Sequence, residues 1–180
     1  MSLANLLSVE QIIPEMKATE RWAAIVELID LLVSLRKIKT EDRDPILASL
    51  KQREETMSTG IGFGIAIPHC SSDRLEEVVA AFGRSTTGIG FGIAIPHCSS
   101  DRLEEVVAAF GRSTTGIEFD ALDNAPVKFV VLFIVPKNQF QTHLRTLASI
   151  AKFLNDRSVR ESLASAKSAD EILSIFRDRS

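Results

Sequence analysis

Residues 127–135 read Val127-Lys128-Phe129-Val130-Val131-Leu132-Phe133-Ile134-Val135. All but Lys128 are apolar, and they show no helical or alternating period. The apolar stretch, which continues to Pro136, is far too short to span a bilayer, since a spanning helix needs about 20 residues. It reads as a strand buried on both faces, the pattern of a central strand in a covered sheet. Upstream, Ile65-Ala66-Ile67 and Val78 to Phe82 read as short strands, and so do Ile93 to Ile95 and Val106 to Phe110. Around these strands lie helical patterns. Ser8-Val9-Glu10-Gln11 has the form of a capping box and predicts a short helix to about Pro14. Thr19 is positioned to cap a helix whose apolar residues Trp22, Ile25, Ile29 and Leu32 recur at helical spacing. Asp44-Pro45 reads as a cap followed by a first helical residue, with the helix running to about Glu54. Leu144, Leu147, Ile150, Ala151 and Leu154 form another helical stripe. Ser158 to Glu161 and Ser168 to Glu171 are capping boxes for two more helices. The expected class is α/β, a mixed central sheet flanked by helices.

A repeat interrupts this plan. Residues 59–86 and 87–114 are identical at all 28 positions. Two copies are too few for a solenoid, which needs about three or more repeats for stability. The expectation is therefore one domain over residues 1–180, in which one of the two copies loops out of the fold. Similar stretches stand at both ends, Ser58-Thr59-Gly60-Ile61-Gly62-Phe63 and Thr115-Gly116-Ile117-Glu118-Phe119. A slipped recombination would use such ends.

The bulk properties narrow the function. The chain has 180 residues, 45% hydrophobic and 25% charged, with net charge −3 and no basic block. That disfavours a nucleic-acid partner. The N-terminus has neither a basic leader nor a long apolar core, so it does not read as a secretory signal. With two cysteines and no signal, a reducing compartment and a cytoplasmic location are expected, without membrane insertion.

The histidines are the candidate chemistry. His69, and its copy His97, follow Gly-Ile-Ala-Ile-Pro and are expected at the C-terminal end of a strand, where ligands bind in α/β sheets. His143 is expected in the first turn of a helix, whose free amides favour an anion. A neutral imidazole is a competent nucleophile toward phosphorus near neutral pH, because its unperturbed pKa is about 6.5. A second histidine can donate to the developing phosphate charge.

Arg53-Glu54-Glu55, then Ser58-Thr59-Gly60-Ile61-Gly62, then Gly64-Ile65-Ala66-Ile67-Pro68-His69 resemble the signature of the fructose- and mannitol-type enzyme IIA family of the bacterial sugar phosphotransferase system. The segments Leu75 to Arg84, Gly116 to Ala121, Pro126 to Pro136 and His143-Leu144-Arg145-Thr146-Leu147-Ala148 resemble its later parts. Leu6-Leu7-Ser8 and the helix after Thr19 are similar to its nitrogen-regulatory branch. The resemblance spans the 152 residues left when one copy is removed. It implies that His69 or His97 accepts a phosphoryl group from an HPr-type phosphocarrier protein. It implies that His143 sits beside that histidine and binds phosphate. Arg53 would neutralise phosphate charge with its planar fork of donors, and the hydroxyls of Ser58 and Thr59 would add donors. Without the resemblance Arg53 reads as a solvated helix-end residue. No cofactor and no metal are implied. An enzyme IIB or a regulated target protein would be the next partner.

Other readings remain beside it. A nitrogen-branch protein regulates by contact, with phosphorylation toggling that contact through added charge. A metal site built from His69-Cys70 and His97-Cys98 has poor spacing for tetrahedral zinc. A cysteine nucleophile is disfavoured because adjacent strand residues point to opposite faces. Between the copies, the expectation favours the first, with His69 at the site, because it preserves the spacing from Arg53 and emerges first during synthesis. A long insertion costs little closure entropy in either place.

Overall fold

The fold is that of a computed structural model, which describes residues 3–56, 60–61, 93–94, 97–100, 103, 105–121, 123–136 and 140–179. Six strands are present among them: β1 (Ile12–Ile13), β2 (Gly60–Ile61), β3 (Ile93–Ala94), β4 (His97–Ser100), β5 (Val107–Ile117) and β6 (Val127–Pro136). The helices are α1 (Arg21–Ser34), α2 (Arg43–Thr56), α3 (Phe140–Asn155), α4 (Arg157–Ser165) and α5 (Ala169–Arg179). The sheet order is β1-β5-β6-β3-β2, with β4 also on β6. β5 runs antiparallel to β6, while β1 is parallel to β5 and both β3 and β4 are parallel to β6. The sheet is mixed, as expected.

Residues 127–136 form the predicted central strand, and Lys128 is their one exposed position. Alternation splits the buried residues between two cores. Val130, Leu132 and Ile134 face the same way as Val107 and Ala109, and they pack with Ile25, Leu28, Ile29 and Leu32 of α1 and Ile46 and Leu50 of α2. Phe129, Val131, Phe133 and Val135 join Ala108 and Phe110 on the other side, with Leu154 of α3, Val159 and Leu163 of α4 and Phe176 of α5. The result is three layers. Burial of each Leu, Ile or Phe stabilises by roughly 1.5–3 kcal/mol before ordering entropy is counted.

Several expected elements shift for local reasons. The helix predicted from Ser8 is only a 3-10 turn, Val9–Gln11, after which the chain becomes β1. Ile12 and Ile13 gain the free edge of β5, opposite Phe110 and Gly111. The buried Gln11 amide ties the turn there by donating to the Ala108 carbonyl at 2.7 Å. Thr19 does not cap α1. Its carbonyl accepts from the Glu118 amide at 2.9 Å, and the Arg21 amide donates to the Glu118 carbonyl at 3.0 Å. This backbone pairing fixes the start of α1 beyond Glu20. α2 begins at Arg43, ahead of the predicted Asp44 cap, because a 3-10 turn over Thr40–Asp42 leads directly into it.

β5 is the largest departure. The expected strand stops at Phe110, where the sequence turns polar, yet pairing runs on through Arg112 and, past a shift in register, takes in Ile117 opposite Val127. Arg112 makes this possible. Its guanidinium is buried and donates to the carbonyls of Pro14 (2.7 Å), Leu163 (2.9 Å) and Ala166. The strand then passes Gly116, whose φ of +92° and close approach to Pro126 suit glycine alone.

The copies divide unequally. β3, β4 and the first eight residues of β5 belong to the second copy, while β2 belongs to the first. The sheet position that the expectation gave to the first copy is therefore taken by the second. The reason lies in the residues downstream. Beyond the strand the second copy brings the small Ala121 to a buried place, where the first would bring Ile93.

Candidate functional site

His97 opens β4. It stands in register with Phe133, and Ser100 is level with Pro136 at the end of β6. Ile93 and Ala94 of β3 face Phe129 and Val130 in the same parallel register. β3 and β4 are thus two stretches of one line along β6. His97 stands within that line and not at the strand end where the sequence pattern puts it, because pairing with β6 runs from the histidine through Ser100.

Helix α2 packs against β4. Arg53 lies in the last turn of α2, where a cation also complements the helix dipole. The residue is half-buried. Burial pushes its guanidinium below the ordinary arginine value, and the neighbouring Glu54 carboxylate opposes that shift. Glu54 is itself 2% exposed. Its carboxylate lies 3.9 Å from Arg21, whose guanidinium also sits 4.7 Å from the centre of the Trp22 ring. Two arginines therefore flank one buried carboxylate at this end of α2. Sequence reading missed Glu54 and Arg21, since an acidic residue beside an arginine on a polar helix gives no signal of burial.

His143 is the fourth residue of α3, in its first turn as expected. α3 comes after β6 by a short connection and packs back on it. Arg53 and His143 ride on helices that cover opposite faces of the sheet, with His97 in β4 between them. His69, Ser58 and Thr59 lie outside the described residues. Among the described residues no group of three or more His, Cys, Asp or Glu side chains is placed to hold a metal. No described helix is long and apolar enough to cross a membrane.

Comparison with known proteins gives the arrangement a context. The family model described as "Phosphoenolpyruvate-dependent sugar phosphotransferase system, EIIA 2" matches twice, at residues 5–91 and 72–179. The chain is 30% identical over 174 residues to the fructose-specific EIIA component of Haloferax volcanii, covering 97% of this chain and 94% of that protein. It is 37% identical over 154 residues to the nitrogen regulatory protein of Pseudomonas aeruginosa, covering 86% and 81%. Its fold is similar to the crystal structure of the nitrogen regulatory protein IIA-Ntr of Neisseria meningitidis, with TM-score 0.72, 25% identity and coverage of 97% and 98%. It also resembles the fold of the mannitol enzyme IIA of Escherichia coli, solved in complex with phosphorylated enzyme IIB, with TM-score 0.67, 22% identity and coverage of 96% and 98%.

Proposed function

Because the chain belongs to the EIIA 2 family of the phosphoenolpyruvate-dependent sugar phosphotransferase system, whose members are phosphotransferase phosphocarriers, we propose that it carries its phosphoryl group on His97. The observation that supports this choice is the strand pairing: the IAIPH line beside β6, packed against the helix that bears Arg53, is made by the second copy. In the proposed step a neutral imidazole nitrogen of His97 attacks phosphorus of a donor phosphohistidine. The new N–P bond forms as the donor's N–P bond breaks; the donor imidazole leaves with its electron pair and takes up one proton, while the phosphorylated His97 ring gives up its own N–H proton to water. Arg53 compensates the charge on the equatorial oxygens, and His143 donates a hydrogen bond to one of them. No metal is needed in this scheme.

The donor would be an HPr-type phosphocarrier, and the cellular location the cytoplasm. The acceptor is a protein: EIIA domains work with an EIIB, as the mannitol complex illustrates. For this chain the regulatory use is favoured over sugar uptake, because its fold follows the nitrogen regulatory protein IIA-Ntr more closely than the mannitol enzyme IIA, with TM-scores of 0.72 and 0.67. In that use added charge toggles contact with a target protein.

The test is to supply phosphoenolpyruvate, enzyme I and HPr, then map the acid-labile phosphoryl group by peptide mass under mild alkaline conditions. Trypsin separates the two candidates: the peptide of residues 54–74 carries His69 and that of 85–102 carries His97. Label on 85–102, lost in His97→Ala and slowed at least tenfold in Arg53→Lys, is the expected result. Label confined to 54–74 would overturn the choice of histidine. No label on either would remove the carrier reading for this chain.

A further inference from the structure

We propose that the chain carries two interchangeable segments for one place in the sheet, so that the first copy can replace the second and leave a folded domain. This inference does not depend on the phosphoryl-carrier reading. It starts from the strand β5, whose sequence Val107–Ile117 recurs without change at residues 79–89. The identity outlasts the repeat unit, because Thr87-Gly88-Ile89 equals Thr115-Gly116-Ile117. Every side chain that β3, β4 and β5 bring to the sheet thus exists twice, including Phe110, Arg112 and the glycine packed on Pro126. The sheet already draws on both copies, since β2 comes from the first and β3 from the second.

The surroundings allow the substitution. With the second copy in place, residues 57–92 connect α2 to β3 and residues 118–126 connect β5 to β6. With the first in place, 57–64 and 90–126 would do so. One connection lengthens as the other shortens, and closure cost grows only with the logarithm of length, so the two arrangements cost nearly the same. After the strand, Gly90-Phe91-Gly92 would stand where Glu118-Phe119-Asp120 now stand. Glu118 contributes backbone hydrogen bonds, which glycine makes equally. Phe91 supplies the buried ring of Phe119. Asp120 adopts φ +57°, which Gly92 takes without strain. The match ends one residue later, where Ile93 would meet the buried place of Ala121. That mismatch is what tips the balance to the second copy. The family model obeys the same logic, since one of its matches ends at residue 91 and the other runs from 72 through the second copy.

The experiment uses three full-length chains, Phe82→Asp, Phe110→Asp and the double variant. Phe110 is fully buried, 5.1 Å from the Phe176 ring centre and 6.3 Å from that of Phe129. An aspartate there is buried without a partner. Thermal unfolding followed by circular dichroism should show Phe82→Asp unchanged. Phe110→Asp should keep one cooperative transition, with its midpoint lowered by about 5–10 °C, and the double variant should lose the transition. Brief trypsin treatment of Phe110→Asp should cut after Arg112, which is buried in the parent, while the α3–α5 region survives. A Phe110→Asp chain that is unfolded and digested throughout would overturn the proposal. So would a double variant as stable as Phe110→Asp, because the spare copy would then contribute nothing.

Discussion

Strands β5 and β6 are neighbours at the centre of the sheet, and each is buried along most of its length. The chain specifies them differently. The sequence of β6 occurs once. That of β5 occurs twice, and nothing within the strand distinguishes its two occurrences. Burial and register therefore choose β6 by themselves. For β5 they choose only a type of segment, and the selection falls to a residue beyond its end, the buried Ala121, where the other copy would bring Ile93. Packing along the strand thus decides what sits at a place in the sheet, while the packing of one residue beyond its end decides which of two equals sits there.

Substitutions at three places in the two strands can break this difference. The largest effect is expected on β6. Phe133→Ala removes a fully buried ring that no other segment can replace, and about 3–5 kcal/mol should be lost. Urea unfolding reads this directly, and a loss below about 1 kcal/mol would mean that β6 is not the centre of the core. Next comes Arg112→Met, which leaves the carbonyls of Pro14, Leu163 and Ala166 without their donor. A cost of about 1.5–3 kcal/mol is expected. Its twin Arg84→Met should cost almost nothing, and equal losses at both arginines would end the distinction between the copies. Gly116→Ala should lose about 1–2 kcal/mol, because φ is +92° and the new Cβ would stand 2.6 Å from Pro126 Cβ. Gly88→Ala in the same measurement should leave stability unchanged.

The smallest effect concerns α4, far from the choice of copy. Asp156 caps this helix, accepting from the Ser158 amide at 2.8 Å and the Val159 amide at 3.2 Å. The Ser158 hydroxyl, also hydrogen-bonded to it, and these amides hold its carboxyl below the ordinary value of 3.8. A lowered folded-state pKa means stability that is present above that ordinary value and fades as pH falls through the lowered one. Asp156→Ala should lower the melting midpoint by about 2–4 °C at pH 7. Its difference from the parent should shrink as the pH falls below that ordinary value. A difference that persists in strong acid would show that charge plays no part in the cap.

How much of the fold was legible in the sequence depends on the strength of each local signal. The unbroken apolar run at 127–135 announced the central strand, and the stripes of α1 and α3 announced helices, because each pattern has one physical reading. The second half of β5 was illegible. Arg112, Ser113 and Thr114 look like a polar turn, and only the carbonyls of α4 and of Pro14, distant in sequence, make a buried arginine acceptable there. Ile12 and Ile13 were hidden in the same way, since a two-residue edge strand exists by virtue of its partner. At the candidate site, the elements bearing Arg53, His97 and His143 were legible from motif order. The proposed choice of His97 over His69 had no signal in the sequence, because two identical segments carry no local difference; it rests on the pairing of β4 with β6.

Lys128 gives the long apolar strand a history before it folds. It is the one exposed position in β6, set between Pro126 and the run that ends in Pro136. In the unfolded chain this segment is the kind that stacks into intermolecular sheets, and a charge with flanking prolines is what interrupts such stacking. The lysine adds little to the folded core, so Lys128→Val should leave the melting midpoint nearly unchanged. Its cost should appear instead as turbidity when heated or newly made chains are concentrated. Solubility on the way to the fold and stability within it are thus carried by different residues of the same strand.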